Sequence, residues 1–209
     1  MQIGVLGAGH IGSTLARHFV DAGHDVAISN SRGPDTLRDL EAELGERARA
    51  MTADEAARFG DLVVVALPFK AYADVPPDDV AGKVVIDTMN YYPQRDGHFA
   101  ELDSDATTSS EMFARHIAGA HVVKAFNSIR WDSLRDKAQP AAGAGRLAVP
   151  IAGDDLAAKQ EVDGLLAEIG FDGVDAGPLG QGGRKFQVGA PLYGAELSSA
   201  ELAERLALD

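Results

Sequence analysis

The chain has 209 residues, of which 32 are acidic and 19 basic, and its formal net charge of −13 gives a pI near 4.8. This acidic balance argues against a nucleic-acid partner and against an anionic membrane surface. No cysteine is present, which excludes disulfides, thiolate catalysis and sulfur-ligated metals. The longest apolar run, residues 62–69, is too short to span a bilayer, and the N-terminus has no basic signal region. We therefore expect a cytoplasmic protein.

The first 32 residues carry the strongest motif of the chain. Residues 2–6 are apolar and predict a buried strand, and the glycine pattern G-x-G-x-x-G follows at residues 7–12. A helix is predicted over 13–22 and a second strand over 25–29. A glycine motif between a strand and a helix is typical of a dinucleotide-binding site.

Each glycine has its own physical role in such a site. Gly7 permits the tight turn, Gly9 lets the backbone approach the pyrophosphate, and Gly12 lets helix and strand pack closely. His10 and Ile11 lie between them, next to a helix N-terminus whose free N–H groups attract an anion. We expect all five residues to contact the cofactor.

The end of the second strand indicates which dinucleotide binds. An NAD site usually carries Asp or Glu there, to hold the ribose 2′-hydroxyl. This chain instead has Asn30, Ser31 and Arg32, which suit a 2′-phosphate. A charge-assisted hydrogen bond from Arg32 contributes about 1.5–3 kcal/mol. The sequence therefore predicts NADP(H) as the cofactor.

Three later segments repeat one pattern, a glycine turn, a run of β-branched residues, and a polar or proline-bearing end. They cover residues 60–68, 82–90 and 119–127. Near-continuous apolar strands of this kind are buried on both faces of a parallel sheet. Helices are predicted over 35–44, 53–59 and 109–117, and a capping box at 108–111 precedes the last of them. This alternation predicts an α/β fold with a doubly wound, mostly parallel sheet, the Rossmann fold.

The pattern changes after Asn127. Residues 138–145 are low in complexity and are predicted to form an exposed loop. The elements predicted beyond it are a strand over 146–151, a helix after residues 153–155, a strand over 173–176 and a terminal helix capped at 198–201. We expect an NADP-binding domain over 1–128 and a small C-terminal α/β extension over 129–209 that completes the substrate cleft.

Ligands bind outside the carboxyl ends of the strands in open α/β sheets, which limits where the chemistry lies. Leu67, Pro68, Met89 and Asn90 follow two predicted strands and are expected near the nicotinamide. Tyr91 adjoins them and offers an aromatic surface to a flat substrate.

The sequence predicts no catalytic acid or base. Hydride transfer between two tightly held rings requires none, because the cofactors carry the chemistry. The other histidines have no metal-ligand spacing, so no metal site is predicted. Lys124 is unusual in an apolar strand and is a candidate to face the crevice. Asp154 and Asp155 are expected to stabilise a helix N-terminus.

With these motifs, the chain resembles the NADPH-dependent F420 reductase family, whose related domains occur in the STEAP metalloreductases. The resemblance rests on residues 3–12, 29–32, 122–127, 153–155 and 175–179. It implies direct hydride exchange between NADP(H) and a stacked deazaflavin, coenzyme F420. It also implies that Pro68 and Met89 lie near the nicotinamide, that Asn127 and Ile129 line the F420 pocket, and that the protein forms a homodimer.

The sequence leaves the identity of the small-molecule hydride acceptor open. Asn127 stands where F420-active members can have histidine, and the loop over 91–97 and the segment after Gln187 differ from theirs. Alternative acceptors are FMN or FAD, a ferric chelate, and a small carbonyl or imine. A non-catalytic NADP(H) sensor is an alternative of another class.

Overall fold

Eight strands form one sheet in the computed structural model, which describes residues 1–139 and 145–208. The strands are β1 (Gln2–Leu6), β2 (Asp25–Ser29), β3 (Ala48–Ala50), β4 (Leu62–Val65), β5 (Val84–Asp87), β6 (His121–Lys124), β7 (Ala148–Gly153) and β8 (Asp172–Gly177). Their order in space is β3-β2-β1-β4-β5-β6-β7-β8. Residues 140–144, the middle of the predicted low-complexity loop, lie outside the described residues.

Helices connect the strands. They are α1 (His10–Asp21), α2 (Arg38–Leu44), α3 (Ala53–Phe59), α4 (Pro77–Val80), α5 (Pro93–Asp96), α6 (Ala100–Asp103), α7 (Ser109–His116), α8 (Trp131–Asp136), α9 (Leu156–Glu168), α10 (Leu179–Arg184) and α11 (Ser199–Leu208). Two 3₁₀ helices, Pro34–Leu37 and Phe69–Asp74, follow β2 and β4. In the described part of the chain no helix is both long and apolar enough to cross a membrane.

The sheet confirms the predicted doubly wound, mostly parallel α/β fold. Every neighbouring pair of strands is parallel except β6 and β7. The first six strands follow the order of the Rossmann fold, in which the strand order reverses between β1 and β4. Leu6 lies opposite both Ser29 and Val65, so β1, β2 and β4 end level with one another. The segments after these strands therefore meet at one edge of the sheet.

Helices cover both faces of the sheet, which explains the continuous apolar strands. Val63, Val64 and Val65 are fully buried, and successive side chains enter opposite cores. On one face α1 and α9 pack on the strands, and Phe19 belongs to that core. On the other face α3 and α7 pack, and Phe113 belongs to that core.

The structure corrects several predicted boundaries near the N-terminus. Helix α1 begins at His10, three residues earlier than predicted, because Gly9 is its N-cap. The predicted helix over 35–44 is a 3₁₀ helix followed by α2. Strand β3 was not predicted, since three residues containing Arg49 give no apolar pattern.

The C-terminal part extends the same sheet. Strands β7 and β8 lie close to their predicted positions, and α11 has the predicted cap, in which Ser198 and Glu201 hydrogen-bond reciprocally. Asp155 caps α9 as expected, whereas Asp154 accepts a hydrogen bond from the Leu179 N–H at the start of α10. Helix α10 itself lies inside a glycine-rich segment that carries no helical pattern.

Candidate functional site

The glycine motif forms the turn between β1 and α1 with the geometry that a dinucleotide requires. Gly7 has a φ of +109°, and a Cβ there would lie 2.3 Å from the Ala66 carbonyl oxygen. A Cβ on Gly12 would lie 1.8 Å from the Gly7 oxygen, so helix and strand touch at this point. A Cβ on Gly9 would meet no atom of the described residues within 4 Å. The open space at Gly9 is where the backbone can approach a pyrophosphate.

The N-terminus of α1 faces this open space. Gly9 is the N-cap, and no side chain of the described residues caps the helix. Because the first N–H groups of a helix have no partner within it, they are free to bind an anion, and the helix dipole favours negative charge there. Glycine at the cap thus keeps the anion position clear.

A cavity of about 500 Å³ follows the glycine turn toward β2. Its lining includes the predicted residues Asn30, Ser31 and Arg32. The Asn30 side chain accepts a hydrogen bond from the Arg32 N–H at 2.9 Å and donates one to Thr36 at 2.9 Å, which holds the loop. Ser31 and Arg32 remain exposed, so their polar groups can reach a phosphate.

Lys70 lines the same cavity and was missed by sequence reasoning. It lies on the 3₁₀ helix after β4, within the region where ligand contacts were expected. Asp74 from the same 3₁₀ helix also contributes to the lining. The cavity therefore carries two cationic side chains, those of Arg32 and Lys70, and one carboxylate.

A second cavity, of about 480 Å³, continues from the first toward β5 and β6. The two share four lining residues, Gly9, Ala66, Leu67 and Pro68, and so adjoin each other. Six more of the predicted site residues line this second cavity, namely His10, Ile11, Met89, Asn90, Asn127 and Ile129. We call the first the nucleotide cavity and the second the acceptor cavity.

Asn127 is a hydrogen-bonded polar residue of the acceptor cavity. It is buried, and its Nδ2 donates to the Phe186 carbonyl at 3.0 Å and to Asn90 Oδ1 at 3.3 Å. Asn90 Nδ2 in turn donates to the Asn127 carbonyl at 2.7 Å. The Oδ1 atom of Asn127 has no hydrogen-bond partner among the described residues. A buried acceptor without a partner is costly, so this atom suits a ligand N–H group.

Two tyrosines were not predicted and meet in the acceptor cavity. The hydroxyls of Tyr92 and Tyr193 are 2.5 Å apart, and both residues line the cavity. Burial, together with the hydrogen bond to Tyr92, raises the pKa of Tyr193. Tyr193 escaped sequence reasoning because nothing local shows that the glycine-rich C-terminal segment brings it to the residues that follow β5.

The Arg95 guanidinium lies 4.9 Å from the centre of the Tyr92 ring. It donates to the Asn90 carbonyl at 2.6 Å and to both oxygens of the buried Asp96 at 2.8 Å. Burial tends to raise the pKa of Asp96, but the hydrogen bonds from Arg95 and from the Tyr92 N–H bring it below its usual value. Asp96 is therefore an ionised anchor that fixes Arg95.

Trp131, the single tryptophan of the sequence, also lines the acceptor cavity. Its ring stacks on His10, with ring centroids 4.7 Å apart and an interplanar angle of 21°. Trp131 follows the predicted strand that ends near Asn127, and this position is the sequence signal that could have identified it as a site residue.

The structure does not bring Tyr91 to the cleft. Its ring packs against Phe69 and Phe99, and its hydroxyl donates to Asp103 at 2.6 Å. It lines a separate cavity of about 510 Å³, which touches the acceptor cavity at Asn90. Successive strand-end residues point in different directions, so Tyr92 enters the cleft and Tyr91 does not.

Lys124 lies behind the cleft rather than in its lining. Its side chain is buried, and Nζ donates to Ser110 at 2.8 Å and to the Met89 carbonyl at 3.3 Å. Asp87 Oδ2 lies 3.7 Å from Nζ and accepts from the Ser110 hydroxyl at 2.6 Å. Burial lowers the pKa of Lys124, and the Asp87 carboxylate opposes this shift. Across the described ranges, no group of three or more His, Asp or Glu residues is arranged to hold a metal ion.

Three comparisons place this chain among known proteins. Residues 2–91 match the family model of the NADP oxidoreductases, coenzyme F420-dependent. A candidate F420-dependent NADP-reductase from Arthrobacter sp. FB24 has a similar structure, with 28% identity, a TM-score of 0.72 and 85% of each chain covered. Residues 2–91 of this chain are thus similar to a family of NADP-dependent oxidoreductases.

Two further relatives show how far along the chain the similarity extends. A hypothetical protein, SMa0349 from Sinorhizobium meliloti, is 31% identical over 95% of each chain, with a TM-score of 0.82. Metalloreductase STEAP3 of Rattus norvegicus is 29% identical over 180 residues, or 85% of this chain. The chain spans about a third of that protein's length, the matched share being 34%.

Proposed function

We propose that this protein transfers hydride between NADP(H) and a flat deazaflavin or flavin acceptor such as coenzyme F420. The observation that carries the proposal is that the nucleotide and acceptor cavities adjoin at Gly9, Ala66, Leu67 and Pro68, which line both. Direct hydride transfer requires donor and acceptor atoms about 3–3.5 Å apart, so the two ligands must share one cleft.

The nucleotide cavity supports NADP(H) at the donor end. Gly9 leaves room for the pyrophosphate at the start of α1, and Arg32 and Lys70 supply positive charge for the phosphates. In this proposal Asn30 holds the loop, while Ser31 and Arg32 contact the 2′-phosphate. When bound, NADPH supplies the hydride.

The acceptor cavity supports a flat ring. Met89, Ile129 and Trp131 give it apolar and aromatic walls. Asn127 Oδ1 offers one buried acceptor to an N–H of the nicotinamide amide or of the acceptor ring. Most ligand cavities combine an apolar wall with a small number of such polar groups.

A ferric chelate is a second candidate acceptor. The observation that favours it is the 29% identity to Metalloreductase STEAP3. A one-electron acceptor such as ferric iron requires an intermediary that accepts hydride and releases single electrons, and a flavin in the acceptor cavity fits that need.

The test is reduction of defined acceptors by the purified protein. NADPH is mixed in turn with F420, FMN, FAD and a ferric chelate with and without FMN, and loss of the NADPH absorbance band is followed. We expect F420 or a free flavin to be reduced with one NADPH consumed per acceptor. Tight NADPH binding with no acceptor reduced would favour the NADP(H) sensor and contradict the proposal.

A further inference from the structure

The acceptor cavity contains a chain of hydrogen-bonding groups that ends in a phenol. Tyr92 and Tyr193 lie with their hydroxyls 2.5 Å apart, and Asn90 Nδ2 lies 3.5 Å from the Tyr193 hydroxyl. All three residues line the cavity. No part of the proposed function assigns a role to this chain of groups.

The donor and acceptor roles of these three side chains give the series of hydrogen bonds a direction. An amide nitrogen only donates, whereas a phenol has one proton to donate and can accept. Asn90 Nδ2 donates to the Tyr193 oxygen, so the Tyr193 hydroxyl can donate its own hydrogen bond to Tyr92. Among the described residues, the Tyr92 hydroxyl proton then has no acceptor.

The positive charge of Arg95 beside the two tyrosines also favours Tyr92 as the residue that gives up a proton. The Arg95 guanidinium lies over the Tyr92 ring at 4.9 Å, so it stabilises negative charge that forms on this phenol. Arg95 is fixed there by the buried Asp96 and the Asn90 carbonyl. The Tyr193 hydroxyl adds a hydrogen bond to the same oxygen.

The proposed reaction needs such a proton. Hydride transfer breaks the C–H bond of the reduced nicotinamide and forms a C–H bond on a deazaflavin or an N–H bond on a flavin. The electron pair displaced in the acceptor then resides on a nitrogen or oxygen of its conjugated system, which becomes neutral when it takes up a proton. We propose that Tyr92 is the catalytic residue that donates this proton, with Tyr193 and Arg95 as positioning residues. The phenolate is reprotonated from solvent, and this inference rests on the proposed hydride transfer.

Other titratable groups that line the acceptor cavity are less suited. His10 is stacked on Trp131, and Asp132 is paired with Arg130, whose hydrogen bonds lower the pKa of that carboxyl to about 2. Asp132 is therefore a carboxylate with no proton to give. Lys124 donates to the Met89 carbonyl from behind the cavity wall.

The test compares three Tyr→Phe variants. Tyr92→Phe keeps the ring under Arg95 and removes only the proposed donor, Tyr193→Phe removes its hydrogen-bond partner, and Tyr72→Phe is the matched control. Tyr72 stacks on Phe69 at 5.0 Å and does not line either cavity. The readouts are kcat with F420 or FMN, the solvent deuterium isotope effect on kcat, and the Kd values of NADPH and of the acceptor from quenching of Trp131 fluorescence.

We expect Tyr92→Phe to lower kcat by about 100-fold or more, the usual contribution of a general acid, while the Kd of NADPH stays within about twofold. Tyr193→Phe should lose about tenfold, and Tyr72→Phe should match the wild type. The solvent isotope effect of the wild type should change in Tyr92→Phe. If Tyr92→Phe keeps the full turnover of the wild type, this inference is overturned and the proposed function stands. If the wild-type protein reduces no acceptor, the proposed function is contradicted and the inference with it. If Tyr92→Phe weakens NADPH binding as much as it lowers kcat, the role of Tyr92 is structural, and this result would also overturn the inference.

Discussion

His10 of the glycine turn and Trp131 of α8 stack face to face, with ring centroids 4.7 Å apart. His10 is the first residue of the helix that is proposed to receive the pyrophosphate, and Trp131 is part of the acceptor cavity wall. The Arg135 guanidinium also lies 4.7 Å from the centre of the Trp131 ring. The indole is thus held in place as a flat surface at the acceptor end of the cleft.

Replacing Trp131 tests whether this surface binds the acceptor. Aromatic stacking contributes about 0.5–1.5 kcal/mol, so Trp131→Ala should weaken the acceptor about two- to tenfold. Trp131→Phe, which keeps a flat ring, should lose less. Isothermal titration of F420 or FMN measures both, and an unchanged Kd in Trp131→Ala would show that the indole does not contact the acceptor.

Reversing the charge of Arg32 tests the 2′-phosphate assignment. Loss of a charge-assisted hydrogen bond worth about 1.5–3 kcal/mol should weaken NADPH about ten- to hundredfold, with a much smaller effect on NADH. The matched control is Arg38→Glu, since Arg38 is an exposed arginine that pairs with Asp35. Binding of both nucleotides is followed by Trp131 fluorescence, and equal losses for NADPH and NADH in Arg32→Glu would refute the assignment.

Two glycines of the motif should respond differently to alanine. A Cβ on Gly9 meets no described atom within 4 Å, so Gly9→Ala should fold normally while its methyl group blocks the pyrophosphate. A Cβ on Gly12 would overlap the Gly7 oxygen at 1.8 Å, so Gly12→Ala should lower the free energy of unfolding as well.

The control is Gly164→Ala in α9, where a Cβ has open space and helix propensity predicts a gain of about 1 kcal/mol. Thermal unfolding and NADPH titration of the three variants separate the effects. Wild-type NADPH affinity in Gly9→Ala would mean that the pyrophosphate lies elsewhere.

Asp96, which anchors Arg95, is expected to make a pH-dependent contribution to the free energy of unfolding. Its folded pKa lies below the usual value of an aspartate, so folding favours the carboxylate. This stabilisation is complete above the unfolded pKa and is lost as the pH falls through the folded pKa. Asp96→Asn should therefore lower the free energy of unfolding by about 1.5–3 kcal/mol at neutral pH, and the difference should shrink below about pH 4.

Denaturant unfolding at several pH values measures this difference. Asp35→Asn is the control, because Asp35 forms an exposed pair with Arg38 and should contribute less than about 1 kcal/mol. A deficit in Asp96→Asn that stays constant down to the acid range would contradict the role of the ionised carboxylate.

The parts of the site that sequence predicts well are local. Gly7, Gly9 and Gly12 lie between a strand and a helix, and Asn30 to Arg32 end the next strand, so their positions follow from chain order and the level ends of β1 and β2. The start of α1 was misplaced because a glycine N-cap offers no side-chain signal.

The rest of the site depends on contacts distant in sequence. Tyr193 reaches Tyr92 across 101 positions, and Asn127 reaches the Phe186 carbonyl across 59. Such contacts follow from how the glycine-rich C-terminal segment packs on β7, which no periodicity records. The sequence also does not show which of Tyr91 and Tyr92 enters the cleft, because the chain after β5 is irregular and its side chains do not alternate as they do in a strand.

Deuterium transfer tests the central claim, direct hydride transfer within one cleft, most directly. NADPH carrying deuterium at the hydride-donating carbon of the nicotinamide is incubated with F420 and the protein in ordinary water. We predict that the deuterium is retained on a carbon of the reduced deazaflavin, one atom per NADPH oxidised, and that labelled solvent with unlabelled NADPH gives none there. Deuterium recovered in the solvent, or no reduction of F420, would contradict direct transfer to this acceptor.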